Sequence, residues 1–207
     1  MARRAPDTLK DVIRDFRREQ IIETARRLFG ERATTEIPID EIAAEAGVAR
    51  STVYVYFANR DDLLQACLQS MYERLQDAIV DVRADEATPI ERMRELLFGL
   101  LERVDESPAF FRLAMATQST AGAPGSVAVG GALMVIGLDM IRLLEEIVTA
   151  GMEVGDFRSD LHLDRAVVLM GQQIYGALSV RAGEPEPVPT DQAADEICDF
   201  IMRGFGP

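Results

Sequence analysis

Arg50, Ser51, Thr52, Tyr54 and Tyr56 all fall between positions 50 and 56. They concentrate hydrogen-bond donors on one short segment, and their chemistry is that of nucleic-acid recognition. An arginine fork suits the O6 and N7 acceptors of guanine, and hydroxyl groups suit phosphates and base edges. Val53 and Phe57 are interleaved four apart, so a helix here turns one apolar face inward and leaves the donors outside. Tyr56 fits either a contact role or the core.

The preceding segment supplies what such a helix needs to be held in place. Ile39 to Ala46 reads as a short helix with Asp40 and Glu41 in its first turn, where the helix dipole favours acids. Gly47 ends it, because glycine enters the left-handed conformation without steric cost. Val48 is the apolar residue of the turn. Helix, glycine turn and donor-bearing helix together make a helix-turn-helix plan. Ala49 and Arg50 begin the reading helix. Downstream, Asn59 is expected to cap a long fourth helix, with Asp61 and Asp62 in its first turn. Arg60, beside that helix N-terminus, is expected to meet backbone phosphate.

The run from Ile39 to Leu64 resembles the DNA-binding signature of the TetR family of transcriptional regulators. Ile42-Ala43, Ala46-Gly47-Val48, Thr52, Tyr54, Tyr56-Phe57 and Leu63-Leu64 fit that signature, and Arg60 stands where the family usually has lysine. The match covers roughly residues 18–68. The resemblance implies a three-helix DNA-binding domain at residues 1–60 and a helical ligand-binding and dimerisation domain at 61–207. It also implies a repressor that binds a palindromic operator as a homodimer, through C-terminal helices that form a four-helix interface. Half-sites would then lie about 34–36 Å apart, or a multiple of that. One departure is Pro38, where the family commonly has a threonine that caps the helix and touches phosphate. Thr34 and Thr35 lie just upstream and are the substitutes, Thr35 being the assigned contact.

Charge agrees with this division. The chain of 207 residues has a net charge of −13. Residues 1–60 hold eleven Lys and Arg against ten Asp and Glu, and residues 61–207 hold eleven against twenty-five. One end tolerates phosphate and the other is repelled by it. Arg3, Arg4 and Lys10 form a basic N-terminal arm suited to phosphates or solvent.

All remaining periodicity is helical, so an all-α fold is expected. Helices are expected at Val12–Phe29, with Ile13, Phe16, Ile21, Ala25, Leu28 and Phe29 inward, and from Asn59 to about Val82. Further helices are expected from Pro89, from Pro108, over Ala132–Met152 and over Ala166–Arg181. A last helix would be capped by Thr190 or Asp191. Pro38 is assigned the first helical position of its helix, and 118–131, rich in Gly, Ala and Ser, is read as a connection.

In the second half, Phe98, Leu101, Phe110, Phe111, Met115, Met134, Met140 and Tyr175 are candidates for an adaptable apolar pocket, with Gln172 or Gln173 as polar anchor. A small lipophilic effector is the expected ligand. The rival reading is a ligand-independent DNA-binding or co-regulatory dimer whose pocket its own side chains fill.

An enzyme is the third class, and little speaks for it. His162 is the only histidine and sits in a connecting segment. Cys67 and Cys198 lie inside apolar helical patterns as free thiols. No metal-ligand spacing, phosphate-cradling glycine loop or Gly-x-Ser-x-Gly elbow is present. No cofactor is expected. No run approaches 18 apolar residues, so no membrane segment is expected and the cytoplasm is the expected location.

Overall fold

The computed structural model describes the backbone at residues 9–83, 87–118 and 126–207, and their side chains apart from Arg83 and 117–137. Among these residues there are nine helices and no strand, as expected for an all-α chain. They are α1 (Leu9–Glu31), α2 (Ile39–Glu45), α3 (Arg50–Tyr56), α4 (Arg60–Arg83), α5 (Pro89–Asp105), α6 (Pro108–Gln118), α7 (Ser126–Val154), α8 (Leu163–Arg181) and α9 (Thr190–Phe205).

The small head is built from α1, α2, α3 and the start of α4. Ile21, Ile22, Ala25 and Phe29 of α1 are fully buried with Ile42, Val53 and Leu63. Four of the six residues expected to face inward, Ile21, Ala25, Leu28 and Phe29, do so. Ile13 and Phe16 are 46% and 69% exposed. They keep the helical spacing, but among the described residues nothing buries that side of the helix end; periodicity sets a face without supplying its cover. The arm residues Arg3 and Arg4 lie outside the described residues, and Lys10 is exposed in the first turn of α1.

Local chemistry explains several helix boundaries. The Asp62 N–H donates to Asn59 Oδ1 (2.9 Å) and the Ala58 N–H donates to Asp62 Oδ2 (2.8 Å), so Asn59 caps α4 as expected. Thr88 and Glu91 form a reciprocal capping box at α5, with Pro89 in its first turn. Pro38 differs from expectation by one position. It occupies the N-cap in extended conformation (ψ 140°), its carbonyl accepting the first helical N–H groups. Helix α7 begins at Ser126 rather than Ala132, taking in Gly130 and Gly131. Their cost, about 1 kcal/mol each, is small in a helix of 29 residues. Its C-terminal turn uses Gly155 at φ 88°. Gly151, inside the helix, is where Phe157 rests: a Cβ there would lie 2.2 Å from the Phe157 ring.

Helix α4 runs from the head into the second half, where it packs against α5 and α7. Gln76 donates to Asp139 Oδ2 (3.0 Å) across the α4–α7 seam. Arg74 pairs with Glu106 and lies 3.7 Å from Glu19, tying α1, α4 and the end of α5 together. The far end is fastened by Arg181, whose Nε and Nη2 donate to Asp105 (2.8 and 2.7 Å) while Nη1 donates to the Val188 carbonyl (2.6 Å). Thr190 donates to the same Asp105 carboxylate (3.0 Å), so it joins α9 to α5 instead of capping its own helix. Pro189 takes the cap position, and neither Thr190 nor Asp191 does.

Candidate nucleic-acid interface

The turn between α2 and α3 is fixed by its backbone. Gly47 adopts φ 66°, a region that a side chain at Cβ disfavours. The N–H groups of Gly47 and Val48 donate back to Ala44 (3.2 Å) and Ala43 (3.0 Å). Gln20 of α1 donates to the Ala46 carbonyl (3.0 Å), which ties the turn to the first helix. Beneath α3, Val53 is fully buried and Phe57 nearly so, and the Arg18 guanidinium carbon lies 5.5 Å from the Phe57 ring centre.

These two anchors decide what α3 presents. Ala49, Arg50, Ser51 and Tyr54 are exposed, and Thr52 is half-buried. Tyr56 is half-buried and packs on the core, with its ring centre 6.3 Å from that of Phe57. Val55, which the donor-based reading passed over, is 75% exposed on the same short helix. An outward valine among hydroxyls is the signal that was available, since apolar groups meet the thymine methyl in a major groove. Thr35 is half-buried in the connection before α2. Its neighbour Thr34 accepts the Glu36 N–H at 3.1 Å and is used in forming the turn.

Nor could sequence spacing show that the arginines of this face are already paired. Arg50 Nη1 donates to Asp40 Oδ2 (3.0 Å), its Nε is 2.9 Å from Asp40 Oδ1, and its Nη2 donates to the Tyr54 hydroxyl (3.3 Å). The Tyr54 hydrogen bond and the Asp40 charge hold the Arg50 guanidinium above its ordinary pKa. Arg60 Nη1 donates to Glu36 Oε2 (2.5 Å), Arg32 pairs with Glu41, and Arg27 pairs with Glu45 (2.5 Å). Carboxylates of α2 and the segment before it thus offset the basic charge of the head.

Of the residues proposed for an apolar pocket, Phe98, Gln172 and Tyr175 do not join the others. Leu101, Phe110 and Phe111 are buried, Met115 and Met140 are half-buried against the core, and the Met134 side chain is outside the described residues. Phe98 is 38% exposed, because α5 turns Met93, Leu96, Leu97, Leu100, Leu101 and Val104 inward and position 98 falls on the opposite face. Gln172 and Tyr175 are likewise exposed, opposite the buried Val167, Met170, Ile174 and Leu178 of α8. They join a different surface. Val168, Leu169, Val180 and Phe200 on α8 and α9 are each more than half exposed. Gln173, half-buried beside the groove between these helices, has its Oε1 buried with no hydrogen-bond partner among the described residues. His162 is exposed at the N-terminal boundary of α8 without a capping hydrogen bond.

Residues 21–67 match the model of the bacterial regulatory proteins of the tetR family. The chain carries a TetR-family DNA-binding domain. The HTH-type transcriptional regulator BetI of Rhizobium meliloti is 33% identical over 39% of this chain and 40% of its own length. The aligned stretch therefore spans about two fifths of that curated relative. The transcriptional repressor KstR2 of Mycobacterium tuberculosis aligns at 24% identity over 91% of this chain and 92% of its own. The structure of KstR2, described as a ketosteroid transcriptional regulator, superposes with a TM-score of 0.69 at 20% identity, covering 92% of this chain and 95% of that one. FadR from Bacillus subtilis, in complex with stearoyl-CoA, does so at 0.67 and 19% identity, covering 90% and 98%. The TetR-type fold thus extends over both halves. Among the described residues no helix is long and apolar enough to cross a membrane.

Proposed function

We propose that this protein is a transcriptional repressor of the cytoplasm that binds a palindromic operator as a homodimer and is released by a small lipophilic effector. The observation that carries the reading is the exposed donor face of α3, anchored by Val53 and Phe57 behind the Gly47 turn. Ala49, Arg50, Ser51, Thr52, Tyr54, Val55 and Tyr56 would meet the groove, and Thr35 and Arg60 the phosphates. The work is binding, not catalysis.

The exposed apolar residues of α8 and α9 support a two-fold interface, and the unpartnered Gln173 oxygen supports a partner there. In this arrangement Gln172 and Tyr175 serve the interface. The effector would lodge between α5, α6 and α7, near Leu101, Phe110, Phe111, Met115, Met134 and Met140. Lipophilic character is supported by those side chains and by the acyl-CoA complex of the FadR neighbour. Helix α4 would transmit the change, and a coupling of about 1–3 kcal/mol loosens the operator about 5–150-fold.

Selection of random duplex DNA on the purified protein, at stated salt, tests the reading. A palindrome is expected to be enriched. No enrichment by a folded dimer refutes it. Val180→Asp with Phe200→Asp is expected to yield folded monomers in sedimentation; an intact dimer would place the interface elsewhere.

A further inference from the structure

We propose that Asp40 is a positioning residue for base reading, its carboxylate at the start of α2 holding the Arg50 guanidinium of α3 in one orientation so that the side chain meets the operator as a prealigned donor. This inference rests on the operator-binding reading above.

Arg50 is held from two sides by groups on different helices. Asp40 takes a hydrogen bond from Nη1 (3.0 Å) and lies 2.9 Å from Nε. Tyr54, one turn along α3, takes a hydrogen bond from Nη2 (3.3 Å), and its ring centre is 5.5 Å from the guanidinium carbon. A guanidinium has five N–H donors in a fixed plane. Asp40 and Tyr54 engage at most three of them, which leaves at least two, the number that guanine O6 and N7 accept. A free arginine side chain would have to be ordered on binding. That costs about 0.5–1.5 kcal/mol for a side chain of this length, equivalent to about 2- to 12-fold in affinity. Held in place beforehand, Arg50 avoids most of this loss at the base it fits and at no other.

Both partners are well exposed, with 61% of each side chain accessible, so the pair sits where DNA would cover it. An acid at that place also repels phosphate. Asp40 therefore costs general affinity while sharpening base choice. The same cannot be said of Glu41, its neighbour in the first turn of α2, which pairs with Arg32.

The experiment compares the base preferences of the full-length wild-type protein, Arg50→Ala, Asp40→Asn and Glu41→Gln, by selection from random duplexes followed by affinity titration. The position read by Arg50 is the one whose preference disappears in Arg50→Ala. Asp40→Asn is expected to reduce that preference by about 2- to 12-fold while binding of unrelated DNA holds or rises, and Glu41→Gln is expected to leave the preference intact. In an Arg50→Ala background, Asp40→Asn should change the preference no further. Wild-type preference in Asp40→Asn, with higher affinity for every sequence, would make Asp40 a mere competitor of phosphate and overturn the proposal. Equal loss in Glu41→Gln would overturn it as a general charge effect. If the wild-type protein enriches nothing, or Arg50→Ala abolishes no preference, the operator reading or the role of Arg50 fails first, and this inference with it.

Discussion

Gly30→Ala is the change that most directly tests how the head is seated on the second half of the chain. Gly30 lies in the last turn of α1, where that helix meets the start of α6. A Cβ at this position would stand 2.7 Å from the Phe110 backbone nitrogen and 3.1 Å from the Ala109 carbonyl carbon and Cβ. Ordinary contact begins near 3.4 Å, so one helix must retreat by roughly 0.7 Å, and the obstacle is backbone, which cannot rotate away. Overpacking of this kind costs about 1–3 kcal/mol. The gain in helix propensity from Gly to Ala is at most about 1 kcal/mol, and less so near a helix end. The clash wins, with a net loss of about 1–2 kcal/mol. For a chain of this size that lowers Tm by about 2–8 °C, each kcal/mol moving it about 2–4 °C. Thermal unfolding followed by circular dichroism at fixed concentration measures it. An unchanged or raised Tm would show that α1 and α6 have slack between them, and the account of a close-seated head would be wrong.

Glu36→Gln removes the carboxylate that pairs with Arg60. Affinity for any duplex should rise about 1.4- to 5-fold, from the 0.2–1 kcal/mol typical of an exposed pair, and equally across sequences; filter binding or anisotropy on operator and random DNA checks both. Asp105→Asn should destabilise the protein by about 1.5–3 kcal/mol at neutral pH, the usual worth of hydrogen bonds to a charged group. Hydrogen bonds from Arg181, and then Thr190, hold the Asp105 carboxyl below the usual carboxylate range. Its contribution is therefore complete above the unfolded pKa of about 4 and is lost as pH falls through the lower folded value, so the stability gap should close in acid. Denaturant titrations of both proteins from neutral pH downward read this directly, and a gap that persists at low pH would refute the assignment. Burial pushes the Cys67 thiol well above its ordinary pKa, and Cys67 and Cys198 are at most 1% exposed. Neither thiol should react with a disulfide reagent in native protein at mildly alkaline pH, and both should react in denaturant.

Much of the candidate site was legible because its causes are local. The positive φ at Gly47, the four-residue spacing of Val53 and Phe57, and the Asn59–Asp62 cap each depend on residues within one or two turns. The donor face of α3 follows from them, since fixing the buried side of a short helix fixes the exposed side. The misplaced members of the pocket set are instructive in another way. Phe98 and Tyr175 fall off the apolar stripes of their own helices, so periodicity already argued against them; residue type had outweighed position.

The sequence by itself determined the all-α class, the course of the turn into the reading helix and the polarity of its exposed face, because hydrophobic period, glycine conformation and helix caps act over a few residues. Tertiary structure alone decided which charges far apart in the chain meet. Asp40 lies ten residues from Arg50, Glu36 lies 24 from Arg60, and Asp105 lies 76 from Arg181. No periodicity links such pairs, because their distance in space is set by how separate helices pack. The same reason governs Ile13 and Phe16, whose spacing marks a face that only a packed neighbour could have buried.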